Sequence, residues 1–132
     1  MGDPVFVDGN LVSAPALIPS LADAQAQATF GFTVQAPSKG NLEYNDHMAD
    51  VRIKAISVSG PFSSSGICGA NTHATFTGTA SVIRPTGTTT ESFTVQVDDC
   101  GEPGTLDTFG IMTSSYLNGP TLLIGGNIQI HK

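Results

Sequence analysis

At 132 residues with 39% hydrophobic side chains, the chain has the length and the material for one domain with a buried core. Charged residues make up only 12%, the net charge is −6, and the five cations (Lys39, Arg52, Lys54, Arg84, Lys132) never cluster, which excludes nucleic acid and anionic membrane surfaces as partners. No apolar run approaches the ~18 residues of a transmembrane helix, so no membrane insertion is expected.

The first stretch, Asp3 to Pro19, mixes Val5, Phe6, Val7, Leu11, Val12, Leu17 and Ile18 with three prolines. It reads as an extended arm, residues 1–25, that covers an edge of its own sheet or pairs with the edge of a neighbouring copy. The opening Met1-Gly2-Asp3-Pro4 lacks the basic and apolar regions of a signal peptide, so a secreted form implies a leader already removed. Ser20 to Ala26 has the composition of one or two helical turns with Ser20 as N-cap.

From there the periodicity is two. Ala28 to Ala36 sets Phe30, Phe32 and Val34 on one face against Thr29, Gly31, Thr33 and Gln35. A weaker strand follows at Asn41 to Asn45. Val51 to Val58 starts with Val51, Ile53 and Ala55 inward and Arg52 and Lys54 outward, then slips phase to Ile56 and Val58, which predicts a β-bulge near Ala55. Ala74 to Val82 alternates Ala74, Phe76, Gly78, Ala80 and Val82 with a Thr/Ser face; Ser92 to Asp98 repeats the pattern with Phe93, Val95 and Val97. The turn-rich Arg84-Pro85-Thr86-Gly87-Thr88 between them predicts an antiparallel hairpin. Thr108 to Thr113 carries Phe109 and Ile111, and a last strand, Asn127 to His131, turns Ile128 and Ile130 inward.

About seven to eight short strands with Gly, Pro and Asn punctuation predict an all-β antiparallel two-sheet sandwich, Ig-like or jelly-roll-like, over residues 26–132. With no Trp, the seven Phe supply most of the large core side chains.

Residues in this order resemble a known module. They are Ala28-Thr29-Phe30-Gly31-Phe32, Gly40-Asn41-Leu42-Glu43-Tyr44, Ala74 to Ala80 and Phe93 to Asp98, then Gly101-Glu102-Pro103-Gly104 with Asp107-Thr108-Phe109, and the ending Gly125 to Lys132. From about Ala26 to Lys132 the chain resembles the post-choice-of-anchor (post-COAP) β module of bacterial secreted and surface proteins. The resemblance implies an extracellular β domain appended to larger proteins and implies no catalytic residues. The chain departs from that pattern in the inserted Pro61 to Asn71, which carries Cys68, and in Cys100 within the acidic turn.

That turn is the strongest chemical candidate. Asp98, Asp99, Glu102 and Asp107 place four carboxylates between two predicted strands, a hard-oxygen set that would suit Ca²⁺ as cofactor. The spacing is not that of an EF-hand, and a tight turn with Asp caps, Pro103 and glycines explains the same residues. Cys68 and Cys100 both fall beyond the open end of the predicted hairpin; they are either two thiols or one disulfide, and a secreted setting favours the bridge. His47, His73 and His131 have no ligand spacing, and Asn45-Asp46-His47 reads as an Asx-type turn with an exposed imidazole. No Gly-x-Ser-x-Gly elbow occurs, and Ser63-Ser64-Ser65 reads as loop. Tyr44 and Tyr116 are the only aromatics beyond the phenylalanines, a thin basis for sugar stacking. The expectation is a non-enzymatic, secreted, cell-surface structural or adhesive module. It would self-associate through its arm into a surface layer or filament, or bind a surface protein or glycan; the alternative is a calcium-dependent glycan-binding module.

Overall fold

The computed structural model describes residues 6–7, 10–20, 27–35, 38–66, 68–100, 107–124 and 128–131. Among them are ten strands: β1 (Phe6–Val7), β2 (Asn10–Pro19), β3 (Gln27–Gln35), β4 (Lys39–Asp46), β5 (Val51–Gly66), β6 (Gly69–Arg84), β7 (Gly87–Asp98), β8 (Thr108–Thr113), β9 (Leu117–Leu122) and β10 (Ile128–His131). No helix among the described residues is long and apolar enough to cross a membrane. Every ladder is antiparallel, in the order β10-β2-β3-β4-β5-β6-β7-β8-β9, with β1 paired to β5.

The all-β antiparallel character predicted from the period-two pattern is present. The ladder, however, is one continuous sheet, where the pattern predicts two. Alternation reports which side chains face inward; it does not report whether neighbouring strands stay bonded around a bend. Here β5 and β6, sixteen residues each, run through the bend as a pair.

The sheet is rolled until it nearly closes. Phe30 on β3 and Phe109 on β8 stack with ring centroids 3.8 Å apart. They lie five strand steps apart in the ladder, which in a flat sheet would separate them by roughly 24 Å. At the seam, Ile124 N donates to the carbonyl of Leu17 at 2.7 Å. The inward rows predicted from the sequence fill the roll: Phe30, Phe32 and Val34, then Phe76, Ala80 and Val82, then Phe93, Val95 and Val97 are all buried.

The hairpin is in place as β6 and β7, paired from His73↔Asp98 to Arg84↔Gly87 around Pro85-Thr86. The bulge predicted near Ala55 is also present, as a register shift between Ala55 and Ser57. Ile56 is a correction: predicted inward, it is 60% exposed, because it is the extra residue of the bulge, and the inward phase resumes at Val58. The bulge presses the backbone of Ser57 onto β6 opposite Gly78, where any Cβ would run into the Ser57 carbonyl oxygen.

One segment differs from expectation, and another takes the first of the two courses open to it, packing on its own sheet. Within the stretch Pro61 to Asn71, read as an inserted loop, the described residues form the far end of the β5–β6 hairpin, with Ser63↔Ala74, Ser64↔His73 and Gly66↔Gly69 paired across a register shift. Serine has little strand preference of its own, so ladder partners decide its conformation. The segment read as an arm contributes β2, which pairs with β3 from Asn10↔Gln35 to Pro19↔Gln27 and with β10 from Ile128↔Ser13 to His131↔Asn10. The helical turn predicted at Ser20 to Ala26 lies outside the described residues, apart from Ser20 itself.

Candidate functional site

The acidic turn starts where β7 ends. Cys68, in the turn between β5 and β6, is disulfide-bonded to Cys100, with Cα atoms 5.5 Å apart. Beside it, Asp98 accepts Thr108 Oγ1 at 2.7 Å on one carboxylate oxygen and faces His73 Nδ1 at 3.1 Å with the other. Asp99 N donates to the Thr72 carbonyl at 2.7 Å. Asp107 is fully buried; its two oxygens accept Cys100 N at 2.6 Å and Ile128 N at 2.9 Å, tying the turn to β10. Glu102 lies outside the described residues. Asp98 and Asp107 thus serve as acceptors for protein donors, and among the described residues no group of three or more His, Cys, Asp or Glu is arranged to hold a metal.

The histidines occupy separate elements. His47 is exposed in the turn after β4, His73 sits on β6 and His131 on β10. The turn reading of Asn45-Asp46-His47 fits the geometry, since Asp46 Oδ1 accepts Ala49 N at 3.1 Å.

Asp46 also anchors a buried network that residue order did not reveal. Ser20 Oγ donates to Asp46 Oδ1 at 2.5 Å, and Tyr116 OH donates to Oδ2 at 2.6 Å. Tyr44 OH meets Tyr116 OH at 2.6 Å, and Asn118 Nδ2 donates to both Tyr44 OH and the Pro19 carbonyl at 2.9 Å. Both tyrosines are buried, so neither is a stacking platform for a sugar. Burial pushes the Tyr44 phenol up to about 12, and burial together with Asp46 pushes Tyr116 further in the same direction. These hydroxyls stay protonated and bond across the seam. The one signal in the sequence was phase: Asp46 shares the inward face of β4 with Leu42 and Tyr44.

The remaining site is a groove on the outer face of β3, β4 and β5. It has a volume of about 520 Å³ and is lined by Thr29, Gly31, Asn41, Glu43, Asn45, Arg52 and Lys54, with the strand segments at Phe30 and Tyr44 beneath. That volume falls within the ~300–1,000 Å³ typical of small-ligand sites. Its origin is local. The β4–β5 ladder spans only four pairs, Glu43↔Lys54 to Asp46↔Val51, and stops just before the Ala55 bulge turns β5 aside. Antiparallel register then lines up two rows of side chains on one face: Thr29, Asn45 and Arg52 in one, Gly31, Glu43 and Lys54 in the next. Gly31 leaves the floor bare, since a Cβ there would meet no atom within 4 Å. A second hollow, on the outer face of β7, β8 and β9 beside Met112 and Leu117, holds only about 80 Å³.

Alternation alone sets Arg52 and Lys54 outward on one strand and Gly31 with Thr29 on the outer face of another, but it does not bring three strands into register. The fold and the groove together define an all-β, disulfide-closed domain with a polar groove on its outer face. Comparison with known proteins yields no match: no family model, curated protein or solved structure aligns with this chain.

Proposed function

We propose that the chain is a non-catalytic, extracellular structural and adhesive module whose binding surface, the groove over β3, β4 and β5, takes a saccharide. The observation that carries this reading is the groove itself. It is ligand-sized, built on paired strands, and lined by hydroxyl, amide and charged side chains rather than by a nucleophile with a base. Amides and hydroxyls such as Asn41, Asn45 and Thr29 both donate and accept, which matches the mixed hydrogen bonding of sugar hydroxyls. The Cys68–Cys100 disulfide, the low charge and the Thr-rich outer faces support an extracellular setting, as does the resemblance to post-COAP modules.

Binding in this groove uses none of the acidic residues at 98–107, so it is expected to persist in a chelator. The test is retention of the full chain on a panel of neutral and acidic polysaccharides. Retention on at least one, lost on joint Asn41→Ala and Asn45→Ala replacement, supports the reading; retention on none overturns it.

A further inference from the structure

Resting on the reading of the groove as a saccharide site, we infer that its ligand is an acidic saccharide of the uronate class and that Arg52 and Lys54 recognise its carboxylate. The chain carries −6 overall and has only five Lys and Arg, yet three of them, Lys39, Arg52 and Lys54, lie on β4 and β5 with exposed side chains. Arg52 and Lys54 line the groove against a single carboxylate, Glu43. Eleven acidic residues were available to neutralise them. Even so, the ion pairs among the described residues join His73 to Asp98 and Arg84 to Glu91, and neither includes Arg52 or Lys54.

Arg52 and Lys54 are two residues apart on one strand, so their Cα atoms are about 7 Å apart along β5. A guanidinium offers a planar fork that fits a carboxylate, and an ammonium beside it adds a point charge. Thr29 and Asn45 share a row with Arg52 and would meet the hydroxyls next to that carboxylate. Glu43, opposite Lys54, accepts hydrogen bonds from hydroxyls and repels a second anion. The site therefore favours one carboxylate set among hydroxyls over a dense polyanion. A peptide would bind most readily by adding to a free sheet edge, whereas from Glu43 to Asp46, beside Arg52 and Lys54, β4 is paired on one side with β3 and on the other with β5.

The experiment is calorimetric titration of the full chain with a neutral oligosaccharide carrying a single uronate residue and with the same oligomer methyl-esterified, which keeps the hydroxyls and removes the charge. The acid form is expected to bind at least about tenfold more tightly, since the carboxylate contacts are charge-assisted, and to weaken with added salt. Arg52→Gln and Lys54→Gln should each reduce that preference. Gly31→Leu should fill the floor and abolish binding of both forms while the melting temperature holds, because the space above Gly31 is open. If Gly31→Leu fails to fold, the two charge variants carry the test alone. Equal affinity for acid and ester would overturn the inference and leave the saccharide reading standing. Binding of polyglutamate but of no saccharide would overturn both. Uronate binding unchanged in Arg52→Gln and Lys54→Gln would also overturn the inference.

Discussion

Tyr116 OH donates a hydrogen bond to the buried carboxylate of Asp46 at 2.6 Å, across 70 positions of the chain. The contact links the loop before β9 to the end of β4. A buried hydrogen bond to a charged group typically contributes about 1.5–3 kcal/mol, so Tyr116→Phe should cost that much in urea unfolding. The same network predicts an alkaline limit. The Tyr44 phenol is raised from 10.0 to about 12, so its contribution is complete below pH 10 and is lost as pH rises through about 12. With two tyrosines and no Trp, phenolate absorbance should stay flat past pH 10 and rise together with unfolding.

Glu91 contributes to stability on the acid side. Its carboxylate is held down to about 2, first by the Thr89 hydroxyl, with further help from Ser115 and Thr113 against the cost of desolvation. Ser115 N and Oγ both bond to it, clamping the turn after β8 onto the β6–β7 hairpin. A lowered folded-state pKa means the contribution is complete above the ordinary 4.5 and fades as pH falls toward 2. Melting temperature should therefore fall across that window in the native chain and fall less steeply in Glu91→Gln.

Reduction tests the corner at Cys68 and Cys100. The bridge closes 32 positions of sequence, which in the unfolded-chain entropy model contributes about 3–4 kcal/mol. Adding reductant, or making Cys68→Ser with Cys100→Ser, should lower the denaturation midpoint accordingly. Asp107→Asn should destabilise in calcium-free buffer, because its carboxylate accepts the Cys100 and Ile128 amides whether or not a cation is present.

Deletion of Asp3 to Pro19 separates two roles for that segment. A strand donated to a neighbour would leave behind a folded monomer. The pairing of β2 with both β3 and β10 predicts instead loss of the cooperative melt, read by circular dichroism.

Much of the scaffold is legible in residue order, because Phe76, Phe93 and their alternating neighbours can bury one face only as strands. The bulge at Ala55 is legible as a phase slip, and the bridge as two cysteines beyond one hairpin. The single rolled sheet is not, since closure depends on contacts such as Phe30 on Phe109 that no local pattern encodes. Nor is β2, where prolines break the alternation. The candidate groove was visible only in fragments. Arg52 and Lys54 show their direction by alternation, but Thr29, Gly31 and Asn45 join them only through a register fixed by neighbouring strands.

The pairing of the first long strand with the last one has a mechanical consequence. Asn10 and His131 face each other at the same end of the β2–β10 ladder. Tension applied at these two points loads one rung at a time, as in a zipper, and does not shear the whole ladder at once. The domain should yield early and stepwise, and the Cys68–Cys100 link should withhold the 32 positions it encloses from the stretched length. In single-molecule pulling, the oxidised chain should open at low force and extend less than the reduced one, acting as a fuse with a covalent stop.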